Sequence, residues 1–320
     1  MKKIAVVTSG GDAPGINAAI RAIVRTAIYH GLQVWGIQRG FQGMIEGAIQ
    51  EMPITSVGGI INQGGTILRT TRSEEFKTKE GKVKAVNNLK KQKIEGLIVI
   101  GGNGSFHGAY SLDTVWNIPT IGIPATIDND IWGTDETIGF DTAVNTALEA
   151  INKIRDTAFS HERIFVIEVM GRERGFLALQ VGLVGGAEVI VIPEVKYDIN
   201  KLCQRMREGY QRGKTSCIIV VAEGAERASY LATEIEARTK FEARVSILGY
   251  IQRGGTPTAR SCLLASRFGT QAVELLIKGE RGKAVGIQGG NIISVSLEKS
   301  CKEYKPIDLE LYQLAEILSL

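Results

Sequence analysis

The sequence predicts an α/β protein in which βαβ units wind around mainly parallel sheets. Three observations predict it. Short β-branched runs alternate with amphipathic segments from the first residues onward, and the apolar positions between runs recur at helical spacing. The length, 320 residues, suits two domains that each bury a core of their own.

Taken in order, KKIAVVT is the first strand. Ile20, Ile23, Val24, Ala27 and Ile28 then fall on one stripe of a helix stopped by Gly31, and Arg21 and Arg25 stand four apart on its other face. LQVWGI follows as a strand, and the charged run EEFKTKEGKVKAVNNLKKQK reads as a solvated loop and helix face. GLIVIGG and IPTIGIP are buried strands. Near Gly139 the chain begins a second pass: Val144, Ala147, Leu148, Ile151 and Ile154 form a helical stripe, followed by the strands RIFVIEV, EVIVIP, CIIVVAEG and ARVSILG.

Composition narrows the function. A formal net charge of +4 with dispersed basic residues argues against nucleic acid and leaves small anions open as ligands. The apolar start of the chain breaks off too early for a signal peptide, and no stretch suits a membrane span, so a cytoplasmic protein is expected. Cys203, Cys217, Cys262 and Cys301 show no CxxC spacing, which predicts reduced thiols, and three histidines without ligand spacing disfavour a histidine-bound transition metal.

In open parallel sheets, ligands gather beyond the carboxyl ends of strands. Here those ends carry SGGDAPG, GGNGS, ATIDND, MGRERG and AEG. Neither GxxxxGK[ST] nor GxGxxG is present. Gly10, Gly11, Gly102 and Gly104 nevertheless suit close approach of backbone N–H groups to phosphate, or simply tight turns. Asp128 and Asp130 stand two apart and would point the same way in an extended segment. Arg72, Arg163, Arg172, Arg244 and Arg253 all fall in or beside turns, and arginine suits bidentate phosphate contacts. Acidic turns with many arginines favour phosphoryl transfer over hydride transfer or acyl hydrolysis.

SGGDAPG, GGTI with RTTRSEEF, GGNGS, PATIDND, the stretch from SHER to MGR, AEG and QRGG stand in the order and approximate spacing of bacterial 6-phosphofructokinases, and the chain resembles that family over essentially its whole length. The resemblance implies two Rossmann-like, three-layer αβα domains. One is an ATP-binding domain of residues 1–138 and 253–305, the other a fructose 6-phosphate-binding domain of residues 139–252 and 306–320. It also implies a homotetramer and Mg2+-assisted transfer of the ATP γ-phosphoryl to the sugar 1-hydroxyl.

Carried over by position, Asp128 matches the general base, Thr126 and Arg172 the groups that hold the transferring phosphoryl, and Asp130 an acid near metal and phosphates. Gly11, Arg72, Ser73, Gly102, Asn103, Gly104 and Ser105 match the nucleotide side. The sugar-phosphate side is matched by Thr126, Ile127, Asp128, Met170, Gly171, Arg172, Glu223, Tyr250, Ile251, Gln252 and Arg253, with Arg163 and Arg244 expected from a neighbouring subunit. An effector pocket for ADP or phosphoenolpyruvate is implied by Arg21, Arg25, Arg155, Gly186, Ala187, Glu188, Arg212, Lys214, Thr215 and Ser216. The chain departs from the pattern at Asn103, an aspartate near magnesium in many ATP-dependent relatives, at Tyr250, usually histidine, and at Gly59, acidic in some relatives. Pyrophosphate-dependent members usually carry Asp and Lys where this chain has Gly104 and Ala125, which favours ATP as donor. A pyrophosphate-dependent enzyme and a weakened regulatory or binding paralogue are the alternatives.

Overall fold

The structure is a computed structural model that describes residues 1–319; Leu320, the last residue of the second expected domain, lies outside the described residues. In chain order the elements are β1 (Lys3–Thr8), α1 (Ile16–Tyr29), β2 (Gln33–Ile37), α2 (Gly40–Glu46), β3 (Ile49–Glu51), α3 (Lys79–Lys91), β4 (Gly96–Gly101), α4 (Asn103–Thr114), β5 (Thr120–Thr126) and β6 (Ile138–Gly139). There follow α5 (Phe140–His161), β7 (Ile164–Val169), α6 (Phe176–Val184), β8 (Val189–Val191), α7 (Ile199–Gln211), β9 (Cys217–Ala222), α8 (Ala228–Thr239) and β10 (Ala243–Ile247). The last are α9 (Ala259–Ile277), β11 (Lys283–Gln288), β12 (Asn291–Ser296), α10 (Leu297–Lys302) and α11 (Leu309–Leu318). All eight runs singled out in the sequence form strands.

Two units divide the chain, the first made of Met1–Thr142 and Arg253–Lys305, the second of Ala143–Gln252 and the residues from Pro306 onward. The first is built on an eight-stranded sheet in the order β12-β11-β5-β4-β1-β2-β3, with β6 beside β5. The inner pairs are parallel, while β2–β3 and β11–β12 are antiparallel. The β11–β12 hairpin turns through Gly289 and Gly290, both at positive φ, as a two-residue hairpin loop demands. β1, β4 and β5 are buried on both faces, which is why they read as unbroken apolar runs. Ile20, Ile23, Val24 and Ala27 on α1 are buried as their stripe predicts. The charged run is more than a solvated face: α3 starts at the Thr78 cap, whose hydroxyl accepts from Gly81 N–H at 3.0 Å, and buries Ala85, Val86 and Leu89.

The second unit carries a four-stranded, wholly parallel sheet in the order β10-β7-β9-β8. Its core includes Val166, Ile219, Val221, Leu231 and Ile235. Among the described residues no helix is long and apolar enough to cross a membrane, and the four cysteines are free thiols.

Candidate active site

In the first unit β5, β4 and β1 are neighbours, so the loops at their carboxyl ends stand side by side. Ser105 Oγ donates to the Ser9 carbonyl at 2.8 Å, joining the start of α4 to the loop after β1. A Cβ at Gly101 would lie 2.4 Å from that same carbonyl oxygen, so the close approach requires glycine. Thr70 Oγ1 donates to the Gly10 carbonyl at 2.9 Å, and Thr8 Oγ1 to the Arg69 carbonyl at 2.8 Å. These bonds hold the segment that carries Arg72 and Ser73. Arg72 is exposed. Ser73 Oγ donates to Gln42 Oε1 at 2.6 Å and accepts from Phe76 N–H at 3.1 Å, so its hydroxyl closes a local turn.

GGNGS runs from the last residue of β4 through the cap Gly102 into the first turn of α4, which opens at Asn103. The first backbone N–H groups of a helix have no acceptor within it and point outward, a geometry that suits phosphate. A Cβ at Gly104 would meet no atom within 4 Å, so space is open beside it, whereas Ala125 is buried. Arg253 Nη2 donates to Asp12 Oδ1 at 2.5 Å, and a Cβ at Gly11 would lie 2.9 Å from the same Nη2.

Asp128 and Asp130 do not lie on an extended segment, contrary to the strand spacing expected of them. β5 ends at Thr126, and Asn129 adopts φ of 52°, so the segment is a turn and the two-residue period of a strand does not apply. Asp128 is 7% exposed and its N–H donates to Thr126 Oγ1 at 3.1 Å; Ile127 is buried beside it. Asn103 Nδ2 donates to Asp130 Oδ2 at 2.7 Å. An ionised carboxylate only accepts, so the donor end of the amide must face it. Lys305 lies in the field of the same loop: burial pushes its ammonium down to about 8, against the pull of Asp135, Asp130 and Glu136.

Mg2+ prefers oxygen ligands, retains waters and is commonly held by one or two carboxylates together with substrate phosphates. Among the described residues no group of three His, Cys, Asp or Glu side chains could hold a metal. The Asp130 carboxylate and the Asn103 carbonyl oxygen fit a Mg2+ carried mainly by phosphate, and do not fit a closed protein cage.

In the second unit the Glu223 carboxylate organises the turn after β7. Its Oε1 accepts from Gly171 N–H at 3.2 Å and from Arg172 N–H at 2.8 Å. Arg172 is at φ 53°, strained for a residue with a side chain, and the residue is exposed. Gln252 Oε1 accepts from Met170 N–H at 3.0 Å, while its buried Nε2 has no acceptor among the described residues. Tyr250 and Ile251 are exposed on the same short turn, Gly249–Arg253. Arg163 and Arg244 both pair with Glu242, the former at 2.9 Å. The Arg163 hydrogen bond, with help from Arg244, holds the Glu242 carboxyl below its usual range. Sequence reasoning missed Glu242; it directly precedes β10 and stands two residues before Arg244, and that spacing was the available signal.

Also within the second unit, Arg155 donates to the Gly185 and Gly186 carbonyls, and Ala187 is buried next to them. Glu188 Oε2 accepts from Ile218 N–H at 2.8 Å, and Lys214 Nζ donates to the Ser319 carbonyl at 2.9 Å. Glu188, Arg212, Lys214 and Ser216 line one cavity with Arg205 and Tyr210; Thr215 lies between two of them in sequence. Arg21 and Arg25 lie on α1, and Gly59 follows a short turn, all in the first unit.

A sequence profile of the family described as Phosphofructokinase matches residues 3–276. The chain is 55% identical, over the full length of both, to the ATP-dependent 6-phosphofructokinase of Halalkalibacterium halodurans. It is 54% identical, again over both whole chains, to the protein of that name from Bacillus licheniformis. Among solved structures it is similar to phosphofructokinase from Saccharomyces cerevisiae, with a TM-score of 0.89 and 36% identity across 94% of this chain; it spans 45% of the yeast chain.

Proposed function

The chain belongs to the phosphofructokinase family, and from that premise we propose an ATP-dependent 6-phosphofructokinase that converts fructose 6-phosphate and ATP to fructose 1,6-bisphosphate and ADP. The observation that carries this reading is full-length identity of 55% to an ATP-dependent 6-phosphofructokinase. The open space at Gly104 and the buried Ala125 support ATP over pyrophosphate.

In this mechanism the first unit binds the nucleotide through the GGNGS turn, Gly11 and Arg72, and the second binds the sugar phosphate through Met170–Arg172, Arg163, Glu223, Arg244 and the 250–252 turn. Asp128 takes the proton of the 1-hydroxyl as its oxygen attacks the γ-phosphorus. The bond from that phosphorus to the β-phosphate oxygen breaks, and ADP leaves with the electron pair. Thr126 and Arg172 stabilise the charge on the transferring group, and the 2.8 Å bond from Arg172 N–H to Glu223 fixes the backbone from which that guanidinium extends. Catalysis of this kind is mainly positioning and charge stabilisation. Mg2+ would be held by Asp130 and the Asn103 oxygen together with substrate phosphates, and would neutralise phosphate charge.

The same reading includes a cytoplasmic homotetramer regulated by an anion such as ADP or phosphoenolpyruvate. The anion site alone is supported by the cavity that Arg205, Arg212 and Lys214 line with Glu188 and Glu208. A coupled assay of ADP formation with fructose 6-phosphate, with the product's phosphorus positions read by NMR, tests the activity. A second phosphate on carbon 1 supports it, and absence of turnover with magnesium present overturns it.

A further inference from the structure

Asn129 stands between the two carboxylates of the 126–130 loop and is 6% exposed. Both ends of its amide are engaged: Nδ2 donates to the Asp135 carbonyl at 3.2 Å, and Oδ1 accepts from Thr137 N–H at 3.0 Å. Thr137 Oγ1 in turn donates to the Thr126 carbonyl at 2.6 Å. The backbone of Asn129 is left-handed, a conformation asparagine tolerates better than most side chains. A second limb arrives from far along the chain. Lys305 Nζ donates to the same Asp135 carbonyl at 2.8 Å. Asp135 is itself moored to the β11–β12 hairpin, its N–H donating to the Ile287 carbonyl and its Oδ2 accepting from Gly289 N–H, each at 2.8 Å.

We propose that Asn129 and Lys305 are positioning residues for phosphoryl transfer, which share the Asp135 carbonyl and thereby hold the turn that presents Asp128 and Asp130. A carbonyl oxygen has two lone pairs, so both donors are served at once. The bond from Lys305 reaches across 170 residues, and it ties the acidic turn to the last segment of the first unit. Neither residue is assigned contact with substrate; both act through the backbone between Thr126 and Thr137. The kinetic consequence rests on the kinase reading above, whereas the truss itself does not.

The test uses full-length Lys305→Met, Lys305→Arg and Asn129→Gly; the glycine retains the left-handed backbone while removing the amide. Hydrogen exchange of the peptide covering residues 126–137 is measured by mass spectrometry, alongside kcat and both KM values. The expected result is faster exchange in the Met and Gly variants. With it, kcat falls on the order of 10- to 100-fold, as displacement of a catalytic group by a fraction of an ångström to one ångström produces, while each KM stays within about threefold of wild type. Arginine at 305 restores both readouts. Unchanged exchange, a raised KM with kcat intact, or an arginine variant as impaired as methionine overturns the proposal. A wild-type protein without turnover sinks the kinase reading, and the exchange data then decide the truss on their own.

Discussion

Asn103 Nδ2 donates a hydrogen bond to Asp130 Oδ2 across 2.7 Å. This pairing places a neutral donor, rather than a second negative charge, beside Asp130. Two carboxylates at that distance repel and need a cation or a shared proton. Asn103→Asp is therefore predicted to lose about 1 to 3 kcal/mol of stability in magnesium-free buffer, to recover it as Mg2+ is added, and to retain ATP use with an altered magnesium titration. Denaturant melts with and without Mg2+, together with rate against magnesium concentration, check this. An identical titration in variant and wild type contradicts it.

Asp128→Ser removes the base while leaving a small polar side chain in a nearly buried position. It should cost on the order of 10²- to 10⁴-fold in kcat, with ATP affinity and melting temperature close to wild type. Steady-state kinetics, nucleotide binding by calorimetry and a thermal melt separate this from misfolding.

Gly104→Asp places a carboxylate in the open space beside the first turn of α4. Nothing lies within 4 Å of the added Cβ, so the fold should tolerate it. A negative charge beside the phosphates should instead raise KM for ATP by about 10-fold or more, equivalent to roughly 1.4 kcal/mol. The melt and the ATP saturation curve together check it.

Lys305 supplies a pH signature. Its folded-state value, lowered to about 8 from 10.5 chiefly by burial, means that between those values the unfolded chain binds the proton and the folded chain has released it. Stability attributable to this group therefore rises with pH through that window and is least below pH 8. Relative to Lys305→Met, wild type should gain on the order of 2 kcal/mol between pH 8 and pH 10, measured by urea denaturation at both. A constant difference between the two proteins contradicts the assignment.

Much of the fold was legible because buried parallel strands announce themselves as unbroken β-branched runs: IAVV, LIVI and IIVV each lie where they read. The β11–β12 hairpin was not singled out, although Gly289–Gly290 between two runs is a two-residue hairpin signal; β12 is only half-buried, so its alternation is weak. β3 and β6 are three and two residues long, too short for any period. In the site, GGNGS and ATIDND were recognisable as strand-end loops, but strand spacing misread Asp128 and Asp130 because the left-handed Asn129 intervenes. The Asn129–Asp135–Lys305 contacts were beyond reach for a plainer reason. They are made by a carbonyl and a lysine distant in sequence, and neither carries a motif.

The central claim is that the chain transfers phosphoryl from ATP to fructose 6-phosphate, and the donor comparison tests it most directly. kcat/KM is measured for ATP and for pyrophosphate with fructose 6-phosphate and Mg2+ saturating. The account predicts turnover with ATP and a kcat/KM for pyrophosphate lower by about 100-fold or more, a difference of roughly 2.7 kcal/mol in transition-state stabilisation. Equal or higher efficiency with pyrophosphate, or no turnover with either donor, would contradict it.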